Sequence, residues 1–442
     1  AVGYQSLYAN TTGAGNVAIG KDALIANTTA ANNVAVGIDA LTANTTGTDN
    51  VAVGSNSLDA NTTGQRLTAV GDNALGANTT AEDNTALGAS ALLANTTGYQ
   101  NTAVGVSSLA ANTTANNNTA VGYQSLDVNT TGATNVAVGS HALGANTTAS
   151  NNTAVGYGAM IANTTGASNA AHGAYALDAN TTGDSNTAIG YFSLSANTTA
   201  DNNTAVGSSA LAATTVGHTN TAVGVQAGTA VTTGDNNIAI GYRALYTEDT
   251  GNRSIAIGDY ALTVQNNDNS NYNVAIGYAA GTAVTTGIQN TIVGGLSGDA
   301  ITTGNYNVSM GVGSLGTLST GAENVAIGVS AMANSTTCSN NVAVGAQALQ
   351  ECSTGTSNVA VGHNALDANT TASNNTAVGK DALTANTTGT NNVAVGKGSQ
   401  LSTTDGNYNV SVGTNSLDAN TGGASNTAIG QNALTENTTA SN

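Results

Sequence analysis

One pattern of apolar and polar residues repeats along the chain with a constant period of seventeen, the step from Gly3 to Gly20 and again to Gly37. Each copy contains a short β-branched run such as VAVG, with Asn before it and Gly at its end. This Gly recurs at the same step up to Gly258 and again from Gly277 to Gly430, which gives 26 copies. A two-residue insertion within residues 259–273 separates the two series. Residues 1–442 are therefore expected to form a single repeat array.

The repeat predicts strands rather than helices. If the Gly is position 0, positions −3 to −1 are Val or Thr, Ala, and Val or Ile, position +4 is usually Leu, and positions +7 to +9 are usually Asn-Thr-Thr. Gly, Asn and Thr disfavour helix, and a β-branched run between Asn and Gly is typical of a strand. We expect an all-β fold, a parallel β-solenoid of 26 seventeen-residue coils, in which each strand pairs with its copies in neighbouring coils.

A correlated exchange between positions +4 and +7 predicts which side chains point inward. In three copies, Gly replaces Leu at +4 and an apolar residue replaces Asn at +7. These pairs are Gly228 with Val231, Gly281 with Val284, and Gly298 with Ile301. Because interiors are closely packed, positions that exchange bulk are expected to share one core. In one copy, the predicted core ladder consists of Asn118, Val121, Gly122, Leu126 and Asn129.

The VAVG strand is apolar or small on both of its faces, which indicates that both faces are covered. One face would cover the core of its own coil. The sequence supplies no helix or second domain for the other face, although Thr at −3 in many copies makes that face less apolar. Further copies of the same chain are the simplest cover, so we expect self-association.

Composition and charge exclude several classes of partner. Only 7% of the residues are charged, and 24 acidic against 6 basic residues give a net charge of −18. The basic residues are scattered, whereas nucleic acids and anionic membranes are bound by clustered Lys and Arg. No apolar run is long enough to span a membrane. We therefore expect neither a nucleic-acid partner nor membrane contact by this segment.

The repeat NVAVGxxALxANTTGxxN resembles the head repeats of YadA-like trimeric autotransporter adhesins, which share the recurrent element A-[IV]-G-x-x-[AS]. It is also similar to the repeat tracts of phage tail-fibre proteins. The resemblance extends along the whole chain, although the period here is longer than that of the family. It implies a left-handed parallel β-roll, a side-by-side homotrimer, and an adhesive or spacer function.

No constellation for catalysis or cofactor binding stands out, so we expect no enzyme activity and no cofactor. The four His residues are scattered, and no Ser/His/Asp or Cys/His set lies at fixed offsets between copies. His172 occupies position −1, where three copies around a trimer axis would converge; an axial ligand and a plain His are the two interpretations. Cys338 and Cys352 are one coil apart, and two free thiols are favoured over a bridge.

Three recurrent features of the repeat are candidate binding or modification sites. Asp at +5 (as in Asp127) has no acidic partner and is expected to be a solvated edge charge. Six of the 14 Tyr residues lie at +1 and are a candidate binding patch: Tyr4, Tyr123, Tyr157, Tyr191, Tyr242 and Tyr278. Asn-Thr-Thr matches the N-glycosylation sequon, but an inward Asn is a poor acceptor. Adjacent Thr side chains point to opposite faces of a strand, which disfavours an ice-binding solenoid.

The sequence favours a structural and adhesive fibre segment of a bacterial surface adhesin. The alternatives are the shaft of a phage or virion tail fibre and a passive extracellular filament or matrix protein. The expected location is therefore extracellular, at a cell surface or in a virion fibre, and a host surface protein or glycan is the expected external partner.

Because the repeat is incomplete at Ala1 and at Asn442, we expect an excerpt of a longer array that associates end to end.

Overall fold

The chain is an all-β parallel β-solenoid that keeps the period of the sequence repeat, as the sequence predicts. A computed structural model describes residues 1–441, and no helix occurs within them. Asn442, on which the expected end-to-end register partly depends, lies outside the described residues.

Two compact units divide the chain, Ala1–Thr219 and Asn220–Asn442, and both consist of coils with one three-residue strand. The strands of the first unit are β1 (Val17–Ile19), β2 (Val34–Val36), β3 (Val51–Val53), β4 (Thr68–Val70), β5 (Thr85–Leu87), β6 (Thr102–Val104), β7 (Thr119–Val121), β8 (Val136–Val138), β9 (Thr153–Val155), β10 (Ala170–His172), β11 (Thr187–Ile189) and β12 (Thr204–Val206). The strands of the second unit are β13 (Thr221–Val223), β14 (Ile238–Ile240), β15 (Ile255–Ile257), β16 (Val274–Ile276), β17 (Thr291–Val293), β18 (Val308–Met310), β19 (Val325–Ile327), β20 (Val342–Val344), β21 (Val359–Val361), β22 (Thr376–Val378), β23 (Val393–Val395), β24 (Val410–Val412) and β25 (Thr427–Ile429). The single array over residues 1–442 stays a prediction.

Within each unit, successive strands pair in parallel and keep the register of the repeat. Ala120 of β7 lies opposite Ala137 of β8, for example, so equivalent positions stack directly on one another. The two-residue insertion leaves this register intact, because Ala256 of β15 still lies opposite Ala275 of β16. The connection between these two strands therefore absorbs the extra residues.

Close stacking of the coils explains why position 0 is always Gly. Gly122 has a φ of 139°, and a Cβ there would lie 2.5 Å from the carbonyl oxygen of Gly139 in the next coil. Three other positions of this coil, +2, +4 and +12, also have positive φ; they are Gln124, Leu126 and Thr134. Left-handed backbone costs a non-Gly residue about 1–2 kcal/mol, so the packing of each coil has to offset this strain.

The interior of each coil is narrow and contains the side chains of positions −4, −2, +4 and +7. In the Gly122 coil, Asn118, Ala120, Leu126 and Asn129 are all fully buried. Val121 was predicted to belong to this core, and that prediction is wrong. Neighbouring side chains of a strand point to opposite faces, so Val121 lies on the outer face beside buried Ala120 and is only half-buried.

Where +4 is Gly, the side chain at +7 fills the vacated space. A Cβ on Gly281 would lie 3.3 Å from Cγ2 of Val284, and one on Gly298 would lie 2.9 Å from Cδ1 of Ile301. A third residue contributes to this packing: Ile292 replaces Ala at −2, and its Cδ1 lies 2.9 Å and 3.3 Å from the same two Cβ positions. Ile292 therefore fills space next to two successive Gly residues.

Candidate functional site

Two ladders of buried Asn side chains tie successive coils together. At +7, Nδ2 of Asn129 donates to Oδ1 of Asn112 in the preceding coil, at 3.3 Å, and to the carbonyl oxygen of Gly132, at 2.9 Å. At −4, Nδ2 of Asn118 donates to the same Gly132 oxygen, at 2.9 Å, and its Oδ1 accepts the backbone N–H of Asn135 in the next coil, also at 2.9 Å. A +7 amide that is buried and hydrogen-bonded, as in Asn129, is a poor glycan acceptor in the folded chain.

Glu248 is a buried carboxylate that takes the place of Asn at +7 beside the insertion. It accepts hydrogen bonds from the backbone N–H of Gly251 at 2.8 Å, from Nε2 of Gln265 at 2.7 Å and from Nδ2 of Asn271 at 2.9 Å. Burial raises the pKa of Glu248, and the hydrogen bonds from Gln265 and Gly251 act in the opposite direction. The sequence analysis missed this residue, although its +7 position was a usable signal.

The Asp residues at +5 are half-buried, so they are less solvated than the sequence predicts. Burial raises the pKa of the Asp127 carboxyl and that of Asp59. The cause is contact along the stack: Oδ1 of Asp59 lies 3.3 Å from the Cβ position of Gly76, which is +5 of the next coil. The six Asp residues at +5 are each followed at +5 of the next coil by Gly, Ser or Thr. Small neighbours therefore make room for these carboxylates.

An exposed row of aromatic rings crosses five successive coils of the first unit. This aromatic strip consists of Tyr123, His141, Tyr157, Tyr175, Tyr191 and Phe192. Along it, the ring centroids of successive coils are 5.4, 6.4, 5.3 and 5.2 Å apart. About half of the surface of Tyr123, Tyr157 and Tyr191 is exposed. The strip is thus a contiguous surface rather than a set of separate rings.

Sequence analysis identified three members of the aromatic strip at position +1 and missed the other three, which lie at +2. The rings of these two positions meet in the stack, as in the Tyr157–Tyr175 pair, where the planes are at 78°. In the second unit, Tyr242, Tyr260 and Tyr278 form a shorter row of the same kind, and Arg243 lies over Tyr242 at 5.2 Å. Tyr4 is exposed near the start of the chain.

The outward ladder is the second surface feature, and we define it as the side chains at positions −3 and −1 of every coil. In β7, both of these residues are half-buried, whereas the central Ala120 is fully buried. The −1 side chains include exposed apolar residues such as Ile189 at 43% and Met310 at 40%. None of the 30 charged residues of the chain, 24 acidic and 6 basic, lies at −3 or −1.

His172 is exposed on the outward ladder, opposite Val155 on one side and Ile189 on the other. Within residues 1–441, no three His, Cys, Asp or Glu side chains lie close enough together to hold a metal ion. An axial ligand formed by three copies of His172 stays a prediction. Cys338 and Cys352 are both buried free thiols.

Comparison with known proteins gives no family for this chain: no family model matches the sequence, and a search of curated proteins finds no match. No helix within residues 1–441 is long and apolar enough to cross a membrane.

Proposed function

We propose that the chain is a structural and adhesive fibre segment of a bacterial surface trimeric adhesin, located outside the cell. Three copies lie side by side as left-handed β-rolls, and they provide reach and a repetitive binding surface. The observation that carries this proposal is the outward ladder, a face of mainly Val, Ile and Thr without a charged residue on a protein whose net charge is −18. The resemblance to trimeric adhesin head repeats supports the same assembly.

The outward ladder suits contact between parallel copies of the same chain. Its residues repeat in register from coil to coil, so a second copy aligned with the first presents an equivalent ladder at the same height. Burying apolar side chains contributes about 25 cal/mol per Å², and an array repeats this contribution in every coil. A closed ring of three copies leaves no ladder uncovered, whereas an open arrangement would continue to add chains.

The aromatic strip favours an adhesive function over that of a passive filament. Aromatic rings offer apolar faces on which the C–H faces of sugar rings stack, and Tyr adds a hydroxyl that donates or accepts a hydrogen bond. Carboxylates accompany the rings: Asp127 and Asp178 lie at +5 of the coils that carry Tyr123 and Tyr175. Rings beside acceptors of hydroxyl protons are the chemistry of a glycan site, so a host glycan is the partner that the strip fits best.

Replacing Tyr157 with Ala is expected to weaken glycan binding by about tenfold, which corresponds to about 1.4 kcal/mol. Tyr157 lies in the middle of the strip and contacts rings on both sides, so its loss divides the surface into two parts. Glycan-array screening of the full chain identifies a ligand, and biolayer interferometry on that ligand then compares the variants.

Tyr306→Ala is the matched control, because Tyr306 is equally exposed, at 50%, but lies at +12 of its coil and outside the strip. It should bind as the unaltered chain does. Equal affinity of the Tyr157→Ala variant would refute the assignment of the strip. Binding to host glycoproteins that survives enzymatic removal of their glycans would identify a protein partner instead.

A further inference from the structure

Cys338 and Cys352 occupy positions of successive coils that face each other inside the second unit. Cys338 is at +10 of the Gly328 coil, and Cys352 is at +7 of the next coil. Both side chains are fully buried, and neither is in a disulfide. Nothing in the resemblance to adhesin head repeats assigns a role to either residue.

The geometry of equivalent positions shows how close a +10 side chain is to the +7 side chain of the next coil. A Cβ at Gly98 would lie 2.9 Å from Nδ2 of Asn112, and a Cβ at Gly355 would lie 3.0 Å from Nδ2 of Asn369. Side chains at these two positions therefore meet, and Cys338 and Cys352 occupy this pair of positions in two successive coils. A disulfide requires Cβ atoms about 3.5–4.5 Å apart, which side chains that meet in this way can reach.

The two thiols lie where the +7 ladder has no Asn. Ser335 and Cys352 occupy +7 of the two coils concerned. The hydrogen bond that joins the amides of Asn side chains in neighbouring coils elsewhere is therefore missing here. Sγ of Cys352 donates to the carbonyl oxygen of Gly355 at 3.3 Å, the acceptor that Asn uses in other coils. Cys352 thus reproduces the hydrogen bond that Asn makes within its coil, but not the hydrogen bond that Asn makes between coils.

We propose that Cys338 and Cys352 are a disulfide-forming pair. Their disulfide replaces the missing amide–amide hydrogen bond with a covalent link between two coils. The oxidant is a small or protein-borne disulfide, R–S–S–R, in an oxidising compartment. The thiolate of one Cys attacks R–S–S–R and releases one R–S⁻; the thiolate of the other then attacks the mixed disulfide and releases the second. Two thiols lose two electrons and two protons, and R–S–S–R becomes two R–SH. Because both thiols are buried, the reaction takes place as the coils close.

This inference does not depend on adhesion or on trimer formation; it requires only folding in the presence of an oxidant. The test compares the full chain exported to a bacterial periplasm with the same chain recovered from the cytosol and treated with oxidised glutathione in mild denaturant. Free thiols are blocked with iodoacetamide, and both samples are digested with a protease that cleaves after Glu. Glu351 lies between the two Cys residues, so cleavage there separates them into different peptides.

Residues 324–351 and 352–436 should then be recovered as one disulfide-linked pair that reduction separates. The melting temperature of the oxidised chain should exceed that of the reduced chain by a few degrees, and Cys338→Ser should abolish both the linked pair and this difference. Two alkylated thiols in both samples, or a link found only between chains, would overturn the proposal. Failure of glycan binding or of trimer formation would leave it intact.

Discussion

Replacing Gly294 with Ala is expected to destabilise its coil by about 2–6 kcal/mol, because two costs add. Gly294 has a φ of 137°, a conformation essentially confined to Gly, and forcing Ala into such a region costs about 1–3 kcal/mol. The new Cβ would also lie 2.6 Å from the carbonyl oxygen of Gly311. Relieving that overlap requires the coils to move apart, and overpacking of this kind costs about 1–3 kcal/mol more.

Gly295→Ala is a control one residue away. Gly295 does not have a positive φ, and no atom lies within 4 Å of its Cβ position. Its replacement should change stability by less than about 0.5 kcal/mol. Hydrogen exchange of the amides in the Gly277, Gly294 and Gly311 coils measures both effects locally, which suits a repeat protein whose coils open in part. Equal protection in the two variants would contradict the stacking that we describe.

Replacing Leu126 with Ala should lower the free energy of unfolding by about 2–5 kcal/mol, because the side chain is fully buried in the narrow core. Leu126→Gly should be the less destabilising change, by about 1 kcal/mol, although it removes more of the side chain. The reason is the φ of 53° at this position, which Gly adopts freely and Ala does not. Urea denaturation and local hydrogen exchange of both variants test the order.

Val128→Ala is the matched control for Leu126, since Val128 lies two residues away and is 40% exposed. Its effect should stay below about 0.5 kcal/mol. If Leu126→Gly proves more destabilising than Leu126→Ala, backbone strain at +4 does not contribute to the choice of residue there. The Leu-to-Gly exchange seen in three coils would then reflect volume alone.

The two Asn ladders limit how far one substitution can compensate another. Asn129→Val would place an apolar group beside the cavity of Leu126→Gly, but it would also remove the amide that joins Asn112 to Asn146. The chain itself follows this restriction. Val or Ile occurs at +7 only where the +7 residues of both neighbouring coils are not Asn, as for Val231 between Thr214 and Glu248. We therefore expect Asn129→Val to recover little of the stability lost on truncating Leu126.

The sequence predicted those features of the fold that depend on the repeat itself. Period, strand position and parallel stacking follow from residues that recur in phase, and Leu at +4 and Asn at +7 were placed inside from their exchange. The outward position of Val121 was missed because an apolar strand does not show which of its faces is the inner one. Its neighbour Ala120, small enough for the narrow interior, is the inward residue.

The remaining features arise from contacts between coils, which a repeat unit considered alone does not display. The burial of Asp59 depends on the small Gly76 in the next coil. The aromatic strip depends on rings at two different positions, as in Tyr157 and Tyr175. Both patterns are visible in the sequence only when equivalent positions of successive coils are compared in pairs. Positive φ at +4 has no such signal, because Leu occupies it in most coils.

The central claim is that three copies of the chain cover one another's outward ladders. Sedimentation equilibrium of the full chain at micromolar concentration measures this directly, with circular dichroism to establish that the sample is folded. We predict a single species with three times the mass of one chain. A folded species with the mass of one chain, stable over the same concentration range, would contradict the account.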